Sequence, residues 1–210
     1  YTDSGGLFGA SVFHKEIKDF FATFAKVATV AELGALGLGP EYAGWQVNSR
    51  INAGDARISG IELSANHSLS PLGKWGQYFR VFANATKLEL KGNRGADFSG
   101  FLPKTINWGV TYSKKPIILM AKWNWRDRQQ TTPFATFGPD AYNYLDSLIH
   151  LDMNLDYQLR KNVSLFINGR NVFNVPPVTL RYGSQTPEYA KVGQTKNYGA
   201  IFSVGVKGTF

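Results

Sequence analysis

Hydrophobic and polar residues alternate along most of this chain with a period of two. The clearest stretch is 149–159, where the odd positions are apolar and the even positions are polar: Ile149, Leu151, Met153, Leu155, Tyr157 and Leu159 against His150, Asp152, Asn154, Asp156 and Gln158. Successive side chains of a β-strand point to opposite faces, so this pattern predicts a strand with one apolar and one polar face.

Similar alternation predicts eight strands, two of which (7–19 and 77–90) have an ambiguous parity. Their ranges are 7–19, 55–69, 77–90, 101–113, 117–128, 147–159, 163–170 and 198–210. Most of them are much longer than the ~5–6 residues of a typical globular strand. A tilted strand that crosses a bilayer needs about 9–11 residues, and these lengths suit that role.

The connections between the predicted strands alternate between long and short. The long ones are 20–54, 91–100, 129–146 and 171–197, and the short ones are 70–76, 114–116 and 160–162. The short ones contain turn residues such as Pro71, Gly73 and Pro116. An antiparallel meander with turns at one rim and long loops at the other is typical of an outer-membrane barrel. In the first long connection, Thr29 and Glu32 have capping-box spacing and predict a short helix.

The apolar face has the composition expected of a surface that meets lipid. Leu, Ile and Val occupy the strand middles, and aromatic residues lie towards the ends, where girdles at the membrane interfaces are expected: Tyr112, Trp123, Trp125, Tyr157 and Tyr198. Every backbone polar group must be paired in lipid, so a spanning sheet has to close on itself. We therefore predict an all-β fold, a transmembrane antiparallel β-barrel meander whose polar face lines a lumen.

Composition by itself indicates a mildly basic soluble domain, with a net charge of +8 and a mean hydropathy of −0.21. Alternation explains this, because it averages a lipid-facing half with a water-facing half. Lys and Arg are dispersed rather than gathered in a patch interleaved with aromatics, so no nucleic-acid partner is expected. Four cations share the polar parity and leave open a basic lumen that favours anionic substrates: Lys122, Arg126, Arg128 and Arg170.

The sequence contains no recognisable catalytic or metal-binding motif. Cysteine is absent, which excludes disulfides and thiol chemistry. His14, His67 and His150 fall on separate predicted strands without ligand spacing. We therefore expect no enzymatic activity, no catalytic residues, no cofactor and no bound metal.

Four segments in this order resemble the TonB-dependent outer-membrane receptors. They are 13–20 (FHKEIKDF), 52–63 (NAGDARISGIEL), 165–174 (LFINGRNVFN) and the closing strand 199–210 with its terminal Phe210. The resemblance implies that the chain is the C-terminal portion, eight strands, of a barrel of about 22 strands with a plugged lumen. It further implies that the chain is a fragment or a separate subunit, because the signal peptide, TonB box and plug domain of that family are not in this sequence.

The same resemblance implies an outer-membrane receptor for TonB-energised uptake of a scarce ligand of the siderophore, vitamin or oligosaccharide class. The implied partners are outer-membrane lipid, the remaining barrel strands and plug, the periplasmic TonB complex acting through that plug, and the barrel-assembly machinery, for which Phe210 would be the C-terminal signal. Binding pockets favour aromatic and Arg anchors on loops held by a rigid scaffold. The candidates for the ligand mouth are Tyr42, Trp45, Phe134, Phe137, Tyr142, Tyr144, Arg181 and Tyr182.

Two alternatives stay open at this point. A complete eight-stranded membrane barrel with a structural or adhesion role predicts that strands 7–19 and 198–210 pair with each other. A soluble β-sandwich that binds glycans predicts that the apolar faces are buried between two sheets.

Overall fold

The computed structural model describes residues 5–19, 21–52, 54–92, 100–138 and 140–208. Phe20, Ala53 and Phe210, which belong to the segments quoted above, lie outside these ranges, as does most of the 91–100 connection. The described elements are β1 (Leu7–Ile17), β2 (Phe21–Val27), α1 (Val30–Ala35), β3 (Gln46–Asn52), β4 (Ala56–Ser68), β5 (Phe79–Gly92), β6 (Lys104–Lys114), β7 (Ile117–Arg126), β8 (Gln129–Pro133), β9 (Tyr142–Leu145), β10 (Leu148–Arg160), β11 (Val163–Arg170), β12 (Val178–Tyr182), β13 (Val192–Thr195) and β14 (Ile201–Gly208).

The eight long strands form one sheet in the order β1-β4-β5-β6-β7-β10-β11-β14. Neighbours in this order follow one another along the chain once the strands of the long loops are set aside, so the predicted meander is confirmed. The boundaries differ by a few residues from the prediction: β5 begins at Phe79, β6 at Lys104 and β14 at Ile201. Tyr198 therefore lies before the last strand rather than on it.

The register between strands extends the alternation across the sheet. Met153 of β10 lies opposite Ala121 of β7 and Gly169 of β11, and Ala121 lies opposite Val110 of β6. One residue further, Asn154 lies opposite Met120 and Asn168. The faces that carry Met153 and Asn154 are named here the apolar face and the polar face of the sheet.

Many large side chains on the apolar face are exposed rather than packed in a core, although Leu151 is buried. Val204 is 72 % exposed, Ile61 48 % and Ile149 43 %. The buried apolar residues among those described are few and mostly small or in loops: Ala28, Leu33, Ala56, Ala141, Leu151 and Leu180. A soluble sandwich would bury this face between two sheets, so that alternative is wrong.

Strands β1 and β14 lie at the two ends of the sheet order. Within the described residues no strand pairing joins them, so the sheet is open at both edges. The alternative of a complete eight-stranded barrel requires that pairing, and the structure contradicts it.

The long loops contain strands that the alternation did not predict. β2 pairs with β3 in a separate hairpin, and β8, β9, β12 and β13 form a four-stranded sheet in the order β13-β12-β9-β8. These strands have only four to seven residues, too few for alternation to mark them out from loop, even where it is present as in β12. The chain divides into two compact units, one of residues 1–13, 60–89 and 99–210 and one of residues 14–59 and 90–98.

The predicted helix in the first long loop is confirmed as α1. Its N-cap is Thr29, whose backbone N–H donates to Glu32 Oε2 at 3.2 Å, as the capping box requires. Leu33 is its buried side chain, at 1 % exposure. α1 has six residues, and in the part of the chain that the structure describes no helix is long and apolar enough to cross a membrane.

Candidate ligand mouth

The structure brings six of the eight predicted mouth residues into one loop element. Phe134, Phe137, Tyr142, Tyr144, Arg181 and Tyr182 belong to the four-stranded loop sheet or to the segment between β8 and β9. The other two, Tyr42 and Trp45, belong to the second compact unit, where their rings meet edge to face at 5.3 Å. Six of the predicted residues thus belong to this loop element, and the other two form an aromatic pair within the second compact unit.

Three tyrosines share one face of the loop sheet. In the register of β9 and β12, Tyr142 lies opposite Tyr182 and Tyr144 lies opposite Leu180. Tyr144 and Tyr182 meet edge to face with centroids 5.6 Å apart, a favourable arrangement for aromatic rings. Leu180, at 7 % exposure, forms the buried base of this face.

Two cations approach the ring of Tyr182. The Arg128 guanidinium lies 5.1 Å from the ring centroid and the Lys191 ammonium 5.9 Å from it. Both distances are in the range of cation–π attraction. The sequence signal for Arg128 was only its polar parity, and no local pattern indicated Lys191, because its contact depends on how the loops fold.

Arg181 points to the opposite face of the loop sheet and forms a second cluster. Its guanidinium lies 4.2 Å from the centroid of the Phe134 ring, and Phe134 meets Phe137 at 5.3 Å. Its Nε atom is buried and has no hydrogen-bond partner. Gly193 permits this packing, since a Cβ at that position would be 2.8 Å from Nε.

The cations of the loop sheet differ in how they are neutralised. Arg128 Nε and Nη2 both donate to Asp146 Oδ1, at 3.1 and 3.0 Å, and Lys191 donates to Glu188 Oε1 at 2.7 Å. Among the described residues no carboxylate pairs with Arg181. Its positive charge is therefore the one that a bound anion could neutralise within this cluster.

A polar clamp joins the β8–β9 segment to the segment after β12. The Ser184 backbone N–H donates to Asp140 Oδ2 at 2.8 Å, and the Ser184 hydroxyl donates to Asp140 Oδ1 at 3.0 Å. These two bonds stabilise the carboxylate and lower the pKa of Asp140, the backbone bond most. Beside the clamp, Gly183 lies so close to Ala141 that a Cβ there would be 2.5 Å from the Ala141 Cβ.

The Tyr144 hydroxyl acts as a neutral group. Burial raises the pKa of Tyr144, and the nearby Tyr142 raises it further, while Arg128 opposes both effects. Tyr144 therefore stays protonated at neutral pH, where it can donate a hydrogen bond to a ligand.

The polar face of the large sheet carries a second set of polar residues. Asn124 Nδ2 donates to Asp152 Oδ2 at 3.0 Å, and the backbone N–H of Asn171 donates to Asp152 Oδ1 at 3.0 Å. His150 Nε2 lies 3.6 Å from the same carboxylate. Lys122 lies opposite Asp152 in the register, so this cation of the predicted basic lumen has an acidic neighbour, as Arg128 has in Asp146.

The three histidines lie on three different strands, His14 on β1, His67 on β4 and His150 on β10. His14 Nδ1 contacts Ser59 Oγ at 2.8 Å, and the ring of His67 lies 6.0 Å from that of Phe8. Within the residues that the structure describes, no group of three His, Asp or Glu side chains could hold a metal ion.

Comparisons with known proteins identify the family. A family model described as the TonB-dependent receptor-like β-barrel matches residues 1–172. A comparison with curated protein sequences gives no significant match.

Solved structures share the fold at low sequence identity. The siderophore receptor PiuA from Acinetobacter baumannii is 15 % identical, with a TM-score of 0.61 over 99 % of this chain and 26 % of its own. The copper transporter OprC is 17 % identical, with a TM-score of 0.68 over 100 % and 30 % of the two chains. The pyoverdine outer-membrane receptor FpvA from Pseudomonas aeruginosa PAO1, bound to pyoverdine, is 13 % identical, with a TM-score of 0.63 over 100 % and 28 %.

The chain thus spans less than a third of the length of each of these structures. The matched family accounts for the exposed apolar face, which meets the lipid of the outer membrane. Its members are transporters and not enzymes. On the match over residues 1–172, the chain belongs to the TonB-dependent receptor-like β-barrel family of outer-membrane transport receptors.

Proposed function

We propose that this chain is the C-terminal, eight-stranded wall segment of a larger barrel that imports a scarce ligand across the outer membrane. The two open edges, β1 and β14, support this proposal, because exposed strand edges need a pairing partner. In lipid the requirement is stricter, since unpaired backbone groups there are costly. The remaining strands of the receptor would supply that partner.

The observation that carries the transport role is the loop sheet with its two aromatic and cationic clusters. It joins loop segments that follow β7 and β11 on the long-loop side, where an extracellular ligand would first meet the protein. Arg181 supplies a positive charge without a carboxylate, and Tyr142, Tyr144 and Tyr182 supply aromatic surface and hydroxyls. Such a mouth suits an anionic, ring-containing ligand of the siderophore class better than a neutral oligosaccharide or vitamin.

The proposed mechanism divides the work between this chain and parts outside it. The loop sheet would capture the ligand, and a plug inside the barrel would block its passage until the periplasmic TonB complex pulls on that plug. The barrel-assembly machinery would recognise the terminal strand and Phe210 during insertion. These partners are carried over from the family.

The test is uptake by cells in which the gene for this receptor is deleted and then restored. The probes are radiolabelled ferric citrate, ferripyoverdine, cupric ion and cobalamin, each with and without a protonophore. We expect accumulation of an iron chelate only in the restored cells, and loss of accumulation but retention of surface binding when the protonophore is present.

Variants of the loop sheet test the mouth separately. Arg181→Ala combined with Tyr182→Ala should weaken surface binding of the transported probe by at least about tenfold, as for residues at the centre of a binding site. Tyr189→Ala is the control, because Tyr189 lies in the same loop region, is 90 % exposed and belongs to neither cluster. Equal binding by both variants would show that the loop sheet is not the mouth, and uptake that persists with the protonophore would contradict energised import.

A further inference from the structure

One row of charged side chains crosses the sheet on its apolar face near the long-loop end. Lys87 of β5 lies opposite Lys104 of β6. The backbone N–H of Asp127 donates to the Lys104 carbonyl oxygen at 2.9 Å, which places Asp127 next in the same row. Two lysines and one aspartate therefore follow one another on adjacent strands.

The row begins where the apolar surface ends. The next row on the same face lies two residues away along each strand and consists of Ala85, Ile106 and Trp125. That spacing is roughly 7 Å along a strand. Trp108 and Trp123, which stack with centroids 6.2 Å apart, lie two residues further in. The lysines thus lie just beyond the tryptophans, at the depth where lipid headgroups meet an outer-membrane barrel.

The two lysines form a direct cross-strand pair of like charge, which is unfavourable without an anion between them. Asp127 Oδ2 lies 3.6 Å from Lys104 Nζ, and the Lys104 side chain is still 51 % exposed. Lys87 is exposed, and none of the described residues forms an ion pair with it. The row keeps an excess of one positive charge, and that charge points outward rather than into the lumen.

We propose that Lys87 and Lys104 bind a phosphate group of an outer-leaflet lipid on the outer wall of the barrel. Flexible lysine stems reach from an apolar surface to the headgroup level, and a phosphate between the two ammonium groups would remove their repulsion. This site lies on the opposite side of the wall from the polar face. It depends on the outer-membrane location of the family and not on the ligand that the receptor transports.

The test measures lipid binding by the complete receptor, purified in a non-ionic detergent. The probes are bisphosphorylated lipid A, its dephosphorylated form and inorganic phosphate. We expect lipid A to bind most tightly, with a loss of affinity of about fivefold for each lysine changed to glutamine in Lys87→Gln, Lys104→Gln and the double variant. Lys161→Gln, in the short turn at the other rim, is the matched control and should bind lipid A like the parent protein.

A second measurement separates binding from folding. In detergent without phosphorylated lipid, Lys87→Gln should leave the melting temperature unchanged or raise it, because it removes the like-charge pair. The double change Lys87→Arg with Lys104→Arg should keep the affinity. The proposal would be overturned if lipid A and its dephosphorylated form bound equally well. It would also be overturned if Lys161→Gln lost as much affinity for lipid A as the Lys87 and Lys104 variants. Displacement of lipid A by an equal concentration of inorganic phosphate would show a site for dissolved phosphate instead.

Discussion

Phenylalanine rings lie over glycines of neighbouring strands at several places in the large sheet. Phe82 lies opposite Gly109, and Phe166 lies opposite Gly205. A Cβ on Gly109 would be 2.7 Å from the Phe82 ring, and one on Gly205 would be 2.6 Å from the Phe166 ring. Each ring packs against the glycine backbone, which has no side chain to cover it, and this packing stabilises a glycine in a strand. The glycine content of the chain, 22 residues, thus has a partly structural cause.

The first prediction concerns this packing. Gly109→Ala should lower the free energy of unfolding by about 1–3 kcal/mol, the usual cost of overpacking, since its Cβ would also be 2.5 Å from the Ala121 carbonyl oxygen. Gly34→Ala is the control. It has open space around it in α1, and alanine favours helix by ~0.5–1 kcal/mol. Urea unfolding in detergent measures both, and a Gly109→Ala receptor as stable as the parent would contradict the packing argument.

At the level of elements, the loop sheet depends on contacts between segments that are distant in sequence. The Asp140 carboxylate is the acceptor for both bonds from Ser184, and so it ties the β8–β9 segment to the end of β12. Because the clamp needs an ionised carboxylate, the loop sheet is the part of the chain expected to loosen first in acid. The strands of the large sheet are joined by backbone ladders, which do not titrate.

The second prediction follows from the lowered pKa of Asp140. A carboxyl whose folded pKa is depressed contributes stability above its unfolded value, about 3.9, and loses it as the pH falls through the lower folded value. Hydrogen exchange at the Ser184 amide should therefore be protected at neutral pH and become less protected below about pH 4. Asp140→Asn should remove this pH dependence, and Asp127→Asn should keep it. If the Ser184 amide of the parent protein were equally protected from hydrogen exchange at neutral and acid pH, the proposed role of the Asp140 carboxylate would be refuted.

At the level of the whole molecule, the sheet separates two environments. Met153 and its row neighbours Ala121 and Gly169 lie on the face that meets lipid, and Asn154 lies on the polar face one residue away. Many large side chains of the apolar face are exposed in the part of the chain that the structure describes, and the family places this face in the outer membrane. The bilayer therefore takes the place of a hydrophobic core on this side of the sheet.

The third prediction uses that adjacency. Met153→Lys should destabilise the receptor in lipid by about 2–4 kcal/mol, as for a lysine near the bilayer midplane on the lipid face of a barrel. Asn154→Lys introduces the same charge on the polar face, beside Asp152 and Asp156, and should fold normally. The heat-modifiable shift on gel electrophoresis after folding into vesicles measures the folded fraction. A similar loss of folded protein for both variants would show that the apolar face does not contact lipid.

Much of the fold could be predicted because the period of hydrophobic residues, and the face on which each side chain of a strand lies, are local properties of the sequence. Alternation in 149–159 predicts β10 directly, and the capping-box spacing of Thr29 and Glu32 predicts α1. The short strands β8, β9, β12 and β13 have only four or five residues each, so that the alternation in β9 and β12 is too brief to distinguish a strand from a loop. For the site, residue type alone selected Arg181 and the tyrosines, but it could not show that Arg181 and Tyr182 lie on opposite faces of one loop sheet.

The sequence by itself determined the order of the strands, their lengths and which side chains share a face, because a two-residue period needs no distant partner. Only the tertiary structure decided which residues meet across strands. The register places Lys87 beside Lys104, and the folded loops place Arg181 over Phe134 and Arg128 over Tyr182. These contacts join residues far apart in the chain. Their geometry follows from hydrogen-bonded pairing between segments and is not encoded in the local pattern of either one.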